Sequence, residues 1–327
     1  TGMTAVVDGF GGKVTFEPDE ELKAQTEARM QEEEEKLKLL QELKGKENIT
    51  LDGRKINIYA NIGSVADIGY VMENDAGGIG LFRSEFLYLG RNDFPTEEEQ
   101  FQAYKQAVQM MAGKKVIIRT LDIGADKQVD YFNLGNEDNP AMGYRAIRIC
   151  LKQPEIFKTQ LRALLRAAVY GNLSIMYPMI TSTEEVKRIY EIVAEVEGEL
   201  KAQEIQYKTP EQGIMIETPA AAIISDRLAE MVDFFSIGTN DLTQYILVVD
   251  RGNKKIAKMY DYFNPAVVRA IKQVIEAGHK EGIKVGMCGE MAGDQKAVEL
   301  LLDLGLDEFS MSAGSIDYVR EQILNRE

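Results

Sequence analysis

The amino-acid sequence predicts an α/β protein whose main part is a (β/α)₈ TIM barrel. Eight short apolar segments alternate with amphipathic segments long enough for crossover helices, and such alternation requires parallel strands. The length of 327 residues lies within the range of about 200 to 400 residues that these barrels occupy. An open doubly wound sheet fits less well, because no Gly-x-Gly-x-x-Gly turn follows the first predicted strand.

The predicted strands are short apolar runs that end at polar or glycine-containing segments. They span residues 56–62, 78–82, 116–120, 173–179, 213–216, 234–237, 284–287 and 308–311. The amphipathic segments between them include 96–112, 183–201, 264–280 and 295–304. We therefore expect the barrel to occupy residues 45–327.

The first 44 residues differ in character from the rest of the chain. Residues 4–7 and 13–16 read as two short strands around a glycine-containing loop, and two strands alone bury too little surface to be stable. Residues 1–18 are therefore expected to be the remnant of an upstream domain. Residues 19–44 are dense in Glu, Lys, Gln and Leu with Gly45 as a stop signal, which predicts a helical linker.

Composition narrows the functional class. The net charge of -15 argues against a nucleic-acid partner, and no run of about 18 apolar residues is available for membrane insertion. No secretory signal opens the chain, and two cysteines in unlike contexts do not indicate a disulfide framework. We therefore expect a soluble, cytoplasmic protein.

Polar side chains follow most of the predicted strands, where a barrel carries its active site. Arg83 and Arg119, with Arg251 as a third arginine, are suited to a phosphate or a carboxylated phosphate, because guanidinium groups bind such anions in a bidentate way. Glu217 and Asp241 follow successive strands and could share one Mg²⁺ ion while leaving positions open for substrate oxygens. An arginine–carboxylate pair can also simply close a barrel rim, so the convergence of several such groups is what favours a site.

The two cysteines and the one histidine are expected to differ in role. Cys288 lies at a strand end, with a glycine on either side of the Met287–Cys288 pair, where an accessible thiol could donate a proton. Cys150 lies in a helical stretch and is expected to be a buried hydrophobe. His279 lies near a predicted helix C-terminus, where a positive group is favoured without any catalytic role.

Six ordered motifs make a family resemblance specific. They are GLFRSEF at 80–86, RTLDIG at 119–124, NPAMGYR at 139–145, ETPAA at 217–221, GTNDLTQY at 238–245 with DRGN at 250–253, and GMCGE at 286–290. Over about residues 45–327 the sequence resembles the phosphoenolpyruvate (PEP)-binding C-terminal domain of enzyme I of the bacterial sugar phosphotransferase system. Pyruvate phosphate dikinase and PEP synthase share the barrel type, but the spacing and the Thr-Gln-Tyr after Asn-Asp-Leu resemble enzyme I more closely.

The resemblance implies roles for individual residues. The implied phosphate-binding residues are Arg83, Arg119 and Arg251, with Arg145 joining the arginine cluster. Asn240 would help to seat the substrate, and Glu217 and Asp241 would bind Mg²⁺. Cys288 would protonate the enolate carbon and so form pyruvate.

The resemblance also implies partners. PEP would pass its phosphoryl group to a histidine on a separate N-terminal phosphohistidine domain, of which residues 1–18 would be the end, and then to the phosphocarrier protein HPr for sugar uptake. The family forms a homodimer through this barrel. His279 has the wrong setting for the acceptor, so we expect this chain to bind PEP without becoming phosphorylated.

Three alternatives remain open from the sequence. A lyase or aldolase of the pyruvate-enolate type would use the same arginines and Mg²⁺. A non-catalytic PEP-sensing scaffold would need no acceptor histidine. A C-terminal domain of pyruvate phosphate dikinase or PEP synthase would have a nucleotide-binding domain as its partner.

Overall fold

The computed structural model describes residues 2–9, 12–125, 127 and 129–326, and its contacts divide the chain into the units Thr1–Lys46 and Glu47–Glu327. In the first unit, strands β1 (Ala5–Asp8) and β2 (Lys13–Phe16) form an antiparallel pair, followed by helix α1 (Glu20–Gln41). The Asp19 carboxylate accepts the Leu22 N–H at 2.8 Å and caps α1. The predicted strands and helix are present, while Phe10 and Gly11 of the predicted loop lie outside the described residues.

The second unit is a closed parallel barrel, which confirms the predicted fold class. Each barrel strand pairs with the next along the chain, and the last pairs with the first. The strands are β3 (Asn57–Ile62), β4 (Gly78–Arg83), β5 (Lys115–Arg119), β6 (Leu173–Tyr177), β7 (Glu211–Ile216), β8 (Phe234–Ile237), β9 (Lys284–Met287) and β10 (Glu308–Met311).

Helices surround the barrel. They are α2 (Ile68–Glu73), α3 (Glu97–Met110), α4 (Ile147–Lys152), α5 (Pro154–Ala167), α6 (Thr183–Ala202), α7 (Pro219–Ile223), α8 (Ser225–Ala229), α9 (Thr239–Leu247), α10 (Pro265–Lys280), α11 (Val298–Asp303) and α12 (Ile316–Leu324). Helix α11 begins later than the predicted 295–304, because the Asp294 carboxylate accepts the Lys296 N–H at 2.9 Å and holds a turn there. Among the described helices, none has both the length and the apolar character needed to cross a bilayer.

Two apolar clusters form the core of the barrel unit. The larger lies between strands and helices, as in Ile58, Phe82 and Ile175. The smaller fills the barrel interior with Leu81, Ile117, Met176, Met215, Phe234 and Cys288. Side chains alternate between the two faces of a strand, and one of the two clusters covers each face. The strands are therefore buried on both faces and are continuous apolar runs in the sequence. Polar groups therefore gather beyond their ends.

Candidate active site

The candidate site lies at the C-terminal ends of the barrel strands. Arg83 and Arg119 are the last residues of β4 and β5, Glu217 follows β7, and Cys288 follows β9. Asn240 and Asp241 lie in the first turn of α9, directly after β8, and Arg251 lies in the loop beyond that helix. The N–H groups of a first helical turn have no partners within the helix, so α9 adds backbone donors suited to an anion.

A cavity of about 290 Å³ opens in this region. Its lining includes Asn61, Arg83, Asn240, Cys288 and Glu290. The other site residues from the sequence, namely Arg119, Arg145, Glu217, Asp241 and Arg251, are not among the lining residues of this cavity. The three arginines among these five form ion pairs with nearby carboxylates, and Asp241 is one of those carboxylates.

Buried and half-buried arginines and carboxylates alternate in a series of ion pairs near the cavity. Arg119 pairs with Glu85 and also lies 2.9 Å from the Asp122 carboxylate. Arg145 lies 3.0 Å from the same carboxylate and 3.2 Å from that of Asp241. Burial disfavours ionisation of Asp122, but Arg119 and Arg145 outweigh it and hold the pKa of that carboxyl well below its usual range. The two guanidinium groups are thus held in place by one shared carboxylate, that of Asp122, which is ionised at neutral pH.

Glu217 is the buried carboxyl whose environment favours the neutral form. It is 1% exposed, and burial, with the nearby charges of Asp241 and Asp122, raises its pKa to about 8 against the opposing effect of Arg119. Its Oε1 accepts the Met179 N–H at 2.7 Å. Two carboxylates that repel each other in this way form a suitable donor set for a divalent cation, which would relieve the repulsion.

Among the described residues no group of three or more His, Cys, Asp and Glu side chains is arranged to hold a metal. A cation here would therefore take Glu217 and Asp241 as its only acidic protein ligands within that part of the chain. Mg²⁺ is bound in this manner in many sites, where water and substrate oxygens complete the octahedron. The residues present are compatible with such an ion.

Arg251 and Asn240 share one acidic partner. The Arg251 guanidinium lies 2.8 Å from Glu290 Oε1, to which Asn240 Nδ2 also donates at 3.4 Å. The Glu290 backbone N–H in turn donates to Asn240 Oδ1 at 2.9 Å. Arg83 differs, because it is exposed at the cavity and forms no ion pair with any described residue within 4.0 Å. It is thus available to an incoming anion.

Cys288 lies at the cavity wall but is only 4% exposed. The thiol is therefore less accessible than the sequence predicted, because the side chain also packs with the interior cluster around Met215. Burial raises the pKa of the thiol to about 11, so the group keeps its proton at neutral pH. Asn61 Nδ2 donates to the Cys288 carbonyl at 2.9 Å and fixes this position.

The other cysteine and the histidine lie away from the cavity. Cys150 is fully buried in α4, and burial raises the pKa of its thiol. His279 lies in the last turn of α10, with its Nε2 2.9 Å from the Asp307 carboxylate. Asp307 directly precedes β10, so this pair lies at the N-terminal end of the barrel.

Two further residues shape the site, although neither was assigned a role from the sequence. Tyr245 lies one helical turn after Asp241; its hydroxyl accepts from Arg145 at 3.4 Å and donates to the Ala141 carbonyl. The i, i+4 spacing could have revealed it. Met179 has φ of 59°, a strained left-handed conformation that turns its N–H toward Glu217. Nothing in the sequence signals that conformation.

Comparisons with solved structures agree with the barrel. An aldolase/citrate lyase family protein from Burkholderia cenocepacia has 14% identity and a TM-score of 0.50, with 87% of this chain and 96% of that chain covered. A citrate lyase from Burkholderia xenovorans has 16% identity and a TM-score of 0.53, with 82% and 76% covered. At such low identities the similarity shows the fold alone.

Sequence comparisons are far closer. Proteins named phosphoenolpyruvate-protein phosphotransferase from Staphylococcus carnosus, Staphylococcus epidermidis and Priestia megaterium are 50%, 52% and 49% identical over 98% of this chain. The chain spans 56% of the length of each of these relatives. A family model described as the PEP-binding domain of PEP-utilising enzymes matches residues 37–327. The chain therefore belongs to the PEP-utilising enzymes, and its barrel is their PEP-binding domain.

Proposed function

We propose that this chain is the PEP-binding and dimerisation part of an enzyme I type phosphotransferase. The whole enzyme would transfer the phosphoryl group of PEP to a histidine on a separate N-terminal domain and release pyruvate, in support of sugar uptake. The observation that carries the proposal is the meeting of Arg83, Asn240 and Cys288 at one cavity, with the buried carboxyl of Glu217 close enough to Cys288 to affect the pKa of its thiol. The names of the relatives support it.

Substrate binding would rest on the arginines. Arg83 is free to take a phosphate oxygen, whereas Arg119 and Arg145 are held in place by Asp122. Preorganised guanidinium groups stabilise the charge that develops during phosphoryl transfer without having to reorganise. Arg251 and Asn240 would receive the substrate once Glu290 releases them.

Glu217 and Asp241 would hold Mg²⁺, the expected cofactor. When bound, the ion would neutralise negative charge on substrate oxygens. The contribution of the chain is to present two carboxylates at fixed positions, with Glu217 oriented by the Met179 N–H and Asp241 by Arg145. Binding a cation requires Glu217 to give up the proton that its environment otherwise favours.

Cys288 would supply the proton that completes the reaction. Transfer breaks the bond between phosphorus and the enol oxygen, the histidine nitrogen takes the phosphoryl group, and the enolate keeps the electron pair. The thiol then gives its proton to the methylene carbon to form pyruvate, and the thiolate regains a proton from water. A thiol whose pKa is raised to about 11 is protonated before this step.

The proposal extends to partners and location. The phosphohistidine domain, of which residues 1–18 would be the end, would pass the group on to the phosphocarrier protein HPr, and two barrels would form a homodimer, as in the family that the sequence resembles. The cytoplasm is the proposed location, where reducing conditions suit the free thiols of Cys150 and Cys288.

Calorimetry and intact-mass measurement together test the proposal. The chain should bind PEP only weakly without Mg²⁺ and more tightly with it, and it should gain no phosphoryl group during incubation. A separately produced phosphohistidine domain of an enzyme I, added in trans, should become phosphorylated under alkaline conditions that preserve phosphohistidine. Absence of PEP binding, or a phosphoryl adduct on His279, would overturn the proposal.

A further inference from the structure

We propose that Gln160 is a positioning residue that holds the two arginine-bearing strand ends of the site in register. Its side chain lies in the middle of α5, away from the cavity, and bridges the segments that follow β4 and β5. These segments carry Arg83 and Arg119. The inference rests on the proposed function, because its consequence is measured as affinity for PEP.

Three hydrogen bonds define the bridge. Gln160 Oε1 accepts the Leu121 N–H at 2.9 Å, while Nε2 donates to Ser84 Oγ at 3.0 Å and to Tyr104 Oη at 3.0 Å. Gln160 is 1% exposed, and Ser84, Leu121 and Tyr104 are fully buried. Because these groups are buried, water cannot readily replace a lost partner. Loss of one of these hydrogen bonds therefore leaves a buried polar group unsatisfied.

The direction of the amide is set by its partners. A backbone N–H can only donate, so the oxygen of Gln160 must face Leu121 and the NH₂ group must face the two hydroxyls. Tyr104 Oη in turn donates to Gln100 Oε1 at 3.0 Å, and Tyr88 donates to the same oxygen at 3.2 Å. On the side away from the strand ends, the network is thus anchored on α3 through Tyr104 and Gln100. Its hydrogen bonds have one dominant arrangement.

The inner side of the network lies next to the proposed anion-binding groups. Ser84 is between Arg83 and Glu85, and Leu121 directly precedes Asp122. Glu85 and Asp122 are the two carboxylates that pair with Arg119, so that ion-pair cluster spans both segments. A shift of one segment against the other would disturb the guanidinium geometry on both, and displacements of about 1 Å can cost roughly a hundredfold in catalysis.

The position of Gln160 within an apolar helix face is visible in the sequence. Phe157, Gln160, Leu161 and Leu164 occupy the buried face of α5 at helical spacing, and Gln160 is the polar member of that apolar stripe. A buried polar side chain needs partners, and here two of them come from neighbouring strand ends.

The test compares Gln160→Met with Tyr104→Phe. Gln160→Met keeps the volume of the side chain but removes all three bonds, whereas Tyr104→Phe breaks only the outer link and leaves the bonds to Ser84 and Leu121. Both variants should lower the melting temperature. At a temperature well below unfolding, Gln160→Met should weaken PEP binding in Mg²⁺ by about tenfold, and Tyr104→Phe by less than about twofold.

Further variants keep the test decisive. If Gln160→Met does not fold, Ser84→Ala removes the hydrogen bond from Gln160 to the segment after β4, keeps the bond to Leu121, and should weaken PEP binding by about threefold. The positioning role would be overturned if folded Gln160→Met or Ser84→Ala bound PEP as tightly as the parent. It would also be overturned if Tyr104→Phe lost as much PEP affinity as they do.

Amide hydrogen exchange separates this inference from the proposed function. The Leu121 N–H should exchange faster in Gln160→Met than in Tyr104→Phe, whether or not PEP binds. Failure of the parent to bind PEP would count against the proposed function, whereas slow exchange at Leu121 in Gln160→Met would count against the bridge itself.

Discussion

The Arg251 guanidinium lies 2.8 Å from the Glu290 carboxylate, so a group assigned to the substrate is already held by an acid of the chain itself. Asn240 donates to the same Glu290 oxygen. Two donors proposed for PEP are thus satisfied by a carboxylate that an incoming anion must displace. Both side chains of the ion pair are partly exposed, at 44% and 65%, which makes the pair weak and readily opened.

Removing the competing charge should strengthen substrate binding. We expect Glu290→Gln to bind PEP more tightly by roughly twofold to fivefold, because exposed ion pairs contribute less than about 1 kcal/mol. Calorimetry at fixed Mg²⁺ measures the change. Glu299→Gln is the matched control, since Glu299 pairs with Arg326 at 3.2 Å elsewhere on the barrel unit and its loss changes the net charge equally. Weaker binding in Glu290→Gln would show that the carboxylate assists the substrate instead.

The two cysteines make a matched pair for the proton-transfer step. We expect Cys288→Ala to retain PEP binding, because in the proposed site the arginines and Mg²⁺ would hold the anion, and to lose proton exchange at the pyruvate methyl group in the assembled enzyme. Cys150→Ala should keep the exchange, since that thiol is fully buried in α4. Deuterium incorporation into pyruvate, followed by proton NMR, measures the rate. Equal rates in both variants would remove Cys288 from the mechanism.

The sequence predicted the strands well because of how a parallel barrel buries them. Each predicted strand lies within two residues of its observed bounds, since strands covered on both faces are continuous apolar runs. The polar residues at their ends were visible for the same reason. The pairing of Arg145 with both Asp122 and Asp241 was not visible, because it depends on how a long loop folds back over the barrel. The burial of Cys288 likewise depends on the packing of β9 against interior neighbours.

The proton on Glu217 predicts a pH dependence of metal binding. Because its pKa is raised to about 8, a cation must displace a proton at neutral pH, so affinity for Mg²⁺ should rise with pH until about pH 8 and then level off. Calorimetry in buffers of different ionisation enthalpy should show proton release at pH 7. Glu217→Gln should abolish both the release and most of the Mg²⁺-dependent PEP binding.

Glu211 provides the control for Glu217 on the same strand. It lies at the start of β7, at the opposite end of the barrel from Glu217, and pairs with Lys115. Glu211→Gln should therefore leave the metal affinity and the proton release unchanged. Metal binding that is independent of pH between 6 and 8 in the parent would contradict the assignment of Glu217 as a ligand.

Glu308 predicts a pH dependence of stability at the other end of the barrel. It is the first residue of β10 and is 8% exposed. Burial raises its pKa from 4.5 to about 7, although Lys115 and Lys284 act in the opposite direction. Between these values the unfolded chain ionises while the folded chain keeps its proton, so stability falls as pH rises through this window. Above pH 7 the full cost of roughly 3 kcal/mol is present.

We expect Glu308→Gln to remove that cost, because glutamine does not ionise. The free energy of unfolding, from urea titrations, should exceed that of the parent by up to roughly 3 kcal/mol at pH 8. At pH 5 most of this gain should vanish, since the Glu308 carboxyl of the parent is then neutral in the folded state and little of the cost remains. Glu299→Gln, which removes an exposed carboxylate, should change stability by a similar small amount at both pH values. A gain for Glu308→Gln that is equal at pH 5 and pH 8 would show that the packing of the amide, and not the charge of the buried carboxyl, accounts for it.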